Sequence, residues 1–150
     1  MGFLNKLKQM AQDGQKAAQE GFDRFNNAAF ADATMAACAL IGAADGKIDQ
    51  QERTRTAQFI TSSDKLKSFD VGKLRDKYDA YCDKISRDFD FGKIELMQTI
   101  GKVKKPEEAR AVVQLAAVIA NADGDFDAKE QAVMREIIHA LSLTPAEFGL

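Results

Sequence analysis

The sequence predicts an all-α fold, a compact helical bundle of about seven to eight helices. Three observations carry that expectation. Ala, Lys, Gln, Glu, Leu and Met dominate the 150 residues, and runs of β-branched residues are short. No segment alternates apolar and polar residues between hairpin turns, so no sheet is expected. Two stretches of the chain match each other as helix, acidic turn, helix. A pseudo-two-fold arrangement of the two units is expected from that match.

Residues 3–25 form the first amphipathic segment. Phe3, Leu7, Met10, Gly14, Ala17, Ala18, Phe22 and Phe25 recur at helical spacing, with Lys and Gln opposite. Gly14 and Gly21 each weaken such a helix by roughly 1 kcal/mol relative to Ala. Residues 1–27 therefore stand as an N-terminal arm, and residues 28–150 as one helical domain. A helix packed on the domain or a loose arm is the first reading, and peripheral membrane contact or partner binding through residues 3–25 is the second.

Residues 28–44 are apolar almost all round, which predicts a central helix. A helix over 50–60 follows, then a short turn near Ser62-Ser63-Asp64. The stripe Val71, Leu74, Tyr78, Tyr81, Ile85 predicts a helix over 70–87, and Ile94, Met97, Ile100, Val103 one over 90–103. Asp88 and Asp90 form a third acidic turn, whose expected role is to cap the next helix. Pro106 with Glu107 and Glu108 opens another all-round apolar helix, 107–122. Val133, Ile137, Ile138 and Leu141 mark a helix over 128–141. Thr144-Pro145-Ala146-Glu147 has the pattern of a capped helix start.

Composition narrows the function. A net charge of −2 argues against a general nucleic-acid binder. Two cysteines and one histidine exclude a disulfide scaffold and Cys/His zinc sites. Any bound metal would take mostly oxygen ligands and so be a hard cation. No run approaches the roughly 20 apolar residues of a membrane span, and the first residues lack a secretory or myristoylation pattern. A cytoplasmic location follows as the expectation.

The matched segments are Ala39–Glu52 and Ala117–Glu130. Both read as an apolar helix end, Ala-Asp-Gly, one residue, Ile or Phe, Asp, two residues, Glu. This is the second half of an EF-hand loop. The first half is missing: Ile41 and Ile119 stand where the leading Asp belongs, and Ala43 and Asn121 where the next acid belongs. A true EF-hand is excluded, but two half shells together could supply the 6–8 oxygens calcium takes. Helix capping accounts for much of the pattern. Gly46 and Gly124 suit left-handed caps, and Asp49/Glu52 and Asp127/Glu130 have capping-box spacing. Asp45 and Asp123 remain, at helix C-terminal ends where a carboxylate costs roughly 0.3–1 kcal/mol. The candidate metal ligands are therefore Asp45, Asp49, Glu52, Asp123, Asp125, Asp127 and Glu130. Calcium is the first expected ion, with magnesium or manganese as alternatives. The second turn is the stronger, because Lys47 and Arg53 dilute the first.

The twin Asp-Gly turns on an all-α chain of this length resemble the TerB-like family of tellurite resistance proteins. The resemblance implies an all-helical fold of two similar units and a cytoplasmic role in tellurite and stress resistance, in reach of the inner face of the membrane. It implies partners that are membrane-embedded TerC-type and calcium-binding TerD-type proteins. It also implies metal binding by the family's acidic residues, here Asp45, Asp49, Glu52, Asp123, Asp127 and Glu130; Asp125 lies outside the repeated pattern. No catalytic residues are expected: the chain has no Ser-His-Asp set, phosphate loop or HExxH motif, and His139 is solitary. Competing readings are an adaptor whose acidic turns are only caps, a metal-dependent enzyme, and thiol chemistry by Cys38 or Cys82.

Overall fold

A computed structural model describes residues 27–150 except 64, 65, 67, 68 and 121–126. The expected arm, residues 3–25, lies outside the described residues, as do Asp123, Gly124 and Asp125. The described chain holds six α-helices: α1 Ala28–Gly42, α2 Gln50–Ser62, α3 Val71–Arg87, α4 Phe89–Ile100, α5 Pro106–Ala120 and α6 Ala128–Ala140. A short 3-10 helix, Pro145–Phe148, follows. No strand occurs among the described residues. The all-α class is as expected, and the described residues hold six α-helices against the seven or eight helices anticipated for the whole chain.

Helix α1 is the axis of the molecule. Every residue from Phe30 to Ile41 except Asp32 is buried, and α1 packs on α3, α4, α5 and α6. The run of Ala31, Ala33, Ala36, Ala37 and Ala39 presents little bulk, so neighbours approach from several sides. Phe30, Met35, Leu40 and Ile41 supply larger contacts, each worth about 1.5–3 kcal/mol of burial. Asn27 starts the helix: its Oδ1 accepts the Phe30 amide at 2.9 Å, and its Nδ2 donates to Glu108 of α5 at 2.9 Å. That bond gives the buried Glu108 carboxylate a partner.

The repeat appears in the helix limits. The paired elements run from 28 and 106, from 50 and 128, and to 62 and 140, a constant offset of 78. The packing follows the same exchange: α1 lies on α5, α2 reaches α5, and α6 reaches α1.

Helices α3 and α4 are inserted between the units and share one residue as punctuation. Asp88 ends α3 and accepts the Phe91 amide at 3.1 Å to start α4, the capping role expected of that acidic turn. Gly92 lets α4 press on the last turn of α3; a Cβ there would lie 3.0 Å from the Lys84 carbonyl oxygen. The ion pairs Lys84–Glu95 and Lys93–Glu136 tie α4 to α3 and α6.

Three local expectations need correction. Ile94 was placed on the buried stripe of its helix, but it is 57 % exposed and Leu96 takes the core position. The close docking at Gly92 sets the helix rotation, so Gly92, Leu96 and Ile100 face inward. Gly46 does have a positive φ of 96°, but it does not directly end α1. The helix stops at Gly42, and Gly46 closes a further turn by donating to the Ala43 carbonyl at 2.9 Å. The Thr144 side chain makes no cap bond, and Glu147 pairs instead with Arg110 of α5.

Candidate functional site

The two α2 and α6 starts are built alike. Asp49 is the N-cap of α2, accepting the amides of Gln51 at 2.7 Å and Glu52 at 3.4 Å. Asp127 is the N-cap of α6, accepting the Glu130 amide at 2.8 Å. Glu130 Oε1 accepts the Asp127 amide at 3.2 Å, completing a capping box. Asp45 lies in the exposed turn after α1 and accepts the Lys47 amide at 3.4 Å.

Two of these acids border one cavity. Glu52 and Glu130 both line a cavity of about 260 Å³. Its apolar wall is Ile41, Ile48, Phe59, Ile119 and Ala120, and its deeper polar groups are Cys38, Thr56 and Tyr78. The C-terminal turns of α1 and α5 supply Ile41-Gly42 and Ile119-Ala120 to this lining. Asp45, Asp49 and Asp127 do not line it. Among the described residues, no three Asp, Glu, His or Cys side chains converge closely enough to hold a metal ion.

Arg53 secures the α2 side. It donates from Nε to Asp79 at 3.3 Å and pairs through Nη2 with Asp83 at 2.9 Å, and Nη2 also reaches the Asp79 carbonyl at 3.2 Å. Burial opposes its charge, but Asp83 and Asp79 outweigh that and hold the guanidinium more firmly protonated than usual. This clasp fixes α2 to α3, and Arg53 also borders the cavity.

The thiols are poor nucleophiles. Burial pushes Cys38 well above the ordinary thiol range, with Cys82 adding to the effect. Burial also raises Cys82, to about 11, against the lowering effects of its Tyr78 hydrogen bond and Arg53. The buried Tyr78 hydroxyl, bonded to Thr56, is likewise pushed up, mainly by desolvation. His139 is exposed in the last turn of α6.

Sequence reasoning found Glu52 and Glu130 but missed the cavity they share. Arg55, Thr56 and Phe59 line it from α2. Their counterparts 78 positions on are Val133, Met134 and Ile137, all buried in the core. The signal lay in two of those positions, where Arg55 and Thr56 of the first unit stand against Val133 and Met134 of the second.

The family described as "Tellurite resistance protein TerB" matches residues 31–150. The chain is 28% identical over 116 residues to the "Tellurium resistance protein TerB" of Alcaligenes sp, covering 77% of this chain and 95% of that protein. No solved structure matches. The match runs through both helix-turn-helix units and the inserted pair, and the chain belongs to the TerB family of tellurite resistance proteins.

Proposed function

We propose that this TerB-family chain is a non-enzymatic binding module of the tellurite resistance machinery. In this reading it holds a divalent cation at its acidic turns and docks on other resistance proteins, membrane-embedded TerC-type and calcium-binding TerD-type. The observation that carries it is the meeting of the two repeat units, with Glu52 and Glu130 on one cavity. The family match supports the resistance role. The raised thiols and exposed His139 favour binding over nucleophilic chemistry.

The described acids alone do not fit a closed coordination shell. Asp49 and Asp127 serve as N-caps, and Glu130 completes a capping box. The cation reading therefore turns on Asp123 and Asp125, which have no place in that box, with Asp45 on the first turn. Calcium is the first ion expected, then magnesium or manganese. The competing adaptor reading, in which the acidic turns are caps only, draws its support from those same bonds.

Backbone amide spectra under millimolar calcium, magnesium or manganese separate the two. The cation reading expects shifts at Gly46 and Gly124 that Asp45→Asn with Asp123→Asn abolishes. Unmoved glycine signals, or shifts that survive the double substitution, leave the adaptor.

A further inference from the structure

The cavity beside α2 marks a departure of the first repeat unit from the second. Arg55 and Thr56 stand on α2 where α6 has Val133 and Met134, both buried in the core. Cys38 of α1 stands where α5 has the smaller Ala116. Around these positions the units agree: Ile60 and Ile138 are both fully buried, and Ile41 and Ile119 both reach the cavity. An apolar set like that of α6 would bury more surface and stabilise the fold. The first unit instead keeps about 260 Å³ open. An apolar cavity of about 150 Å³ holds benzene, so this one has room for a substituted ring.

The lining selects against charge. Two acids, Glu52 and Glu130, and two arginines, Arg53 and Arg55, border the cavity, so their formal charges cancel. Arg53 is held by Asp79 and Asp83, and Glu130 by its capping box. An ion of either sign meets like charge beside opposite charge here, and gives up hydration against an apolar wall. That wall, Ile41, Ile48, Phe59, Ile119 and Ala120, takes a neutral aliphatic or aromatic body, and Phe59 offers its ring to an aromatic one. The polar side is a row of three groups. The Tyr78 hydroxyl is hydrogen-bonded to the Thr56 hydroxyl and to the Cys82 thiol. Each group has one hydrogen, and two bonds join them, so the row retains one donor and several acceptor lone pairs. Thr56 is its half-buried end and lines the cavity. A ligand hydroxyl both donates and accepts, so it pairs with Thr56 whichever way the row is oriented.

We infer that this cavity binds a neutral alcohol or phenol: a hydroxyl on Thr56 and a ring-sized apolar body laid against Ile41, Ile48, Phe59 and Ile119. The site is separate from the cation reading of the turns. It depends on the Thr56 hydroxyl and the apolar wall, and it uses no carboxylate.

Titration of the full chain at neutral pH, followed by backbone amide signals, tests it. The probes are 4-methylphenol, toluene as its counterpart without the hydroxyl, and 4-methylbenzylamine and 4-methylbenzoate as charged counterparts. The expected result is saturable shifts at Gly42, Thr56, Phe59 and Ala120 with 4-methylphenol. Toluene should bind the same residues about five-fold more weakly, the worth of one hydrogen bond. The two ions should give no saturable shifts there. Thr56→Val keeps the shape and removes the hydroxyl, so it should bring 4-methylphenol down to the affinity of toluene. Thr56→Met, which borrows the residue of the second unit, should fill the cavity and abolish the shifts. Absence of saturable shifts with 4-methylphenol at millimolar concentration overturns the proposal. So does equal binding of toluene or of either ion, unchanged binding in Thr56→Val, or binding in a folded Thr56→Met protein. Calcium binding without 4-methylphenol binding overturns this inference and leaves the turn reading intact; the reverse outcome does the opposite.

Discussion

Replacing Gly92 by alanine tests how α4 is seated. A Cβ at that position would stand 3.0 Å from the Lys84 carbonyl oxygen, 3.1 Å from Ile85 Cα and 3.2 Å from Ile85 N. Ordinary carbon contacts sit at about 3.5–4.0 Å. All three neighbours are backbone atoms of α3, so no side chain can swing aside, and α4 must lift by a few tenths of an ångström. That movement loosens Leu96 and Ile100, which α4 buries on the same face. Overpacking of this kind costs about 1–3 kcal/mol. The intrinsic helix preference of alanine works the other way by roughly 1 kcal/mol. Gly72→Ala removes most of that ambiguity, because Gly72 is exposed on α3 and its Cβ would meet only the Asp70 carboxylate at 3.4 Å. Gly92→Ala should be less stable than Gly72→Ala by about 2 kcal/mol. In a chain of this size that is a melting temperature lower by roughly 4–8 °C. Urea unfolding gives the comparison directly, as a lower midpoint at unchanged slope. A Gly92→Ala protein as stable as Gly72→Ala would refute the close seating of α4 on α3.

Other outcomes follow from single residues. Asp127→Ala removes the N-cap and half of the capping box of α6 and should cost about 1–2 kcal/mol in urea unfolding. Ser142 holds a φ of 61° after α6, with its amide on the His139 carbonyl and the Leu143 amide on Ile138. That is a Schellman cap with serine at the left-handed position, so Ser142→Gly should stabilise by about 1 kcal/mol. The Cys82 thiol, raised from 9.0 to about 11, is protonated in the fold at pH values where the unfolded chain releases its proton. The unfolded state binds fewer protons there, so stability is fully present below about pH 9 and declines as pH rises toward 11. Iodoacetamide at pH 8 should accordingly spare both buried cysteines in the native chain and label them in urea.

The fold was legible where a periodic pattern and a cap coincided. The apolar circumference of α1 and α5, and Asp88 ahead of α4, were visible in the sequence and hold in the structure. The repeat was legible because acids, glycines and apolar positions recur together. The rotation of α4 was not: Ile94 and Leu96 are both apolar, and the choice between them depends on the backbone approach at Gly92. Nor was the fate of Glu147, since a capping box and an ion pair to Arg110 require the same side chain. Glu52 and Glu130 stood out as acids in matched turns. The cavity between them was hidden, because it arises from elements distant in sequence: α1, α2, α3, α5 and α6.

The proposed function requires the two acidic turns to act together as one cation-binding unit. Calorimetric titration of calcium into the wild type, Asp45→Asn and Asp123→Asn tests it most directly. A shared site gives one ion per chain, and each single substitution weakens that same ion. Absence of calcium binding at millimolar concentration, or a substitution in one turn that leaves the binding unchanged, contradicts it.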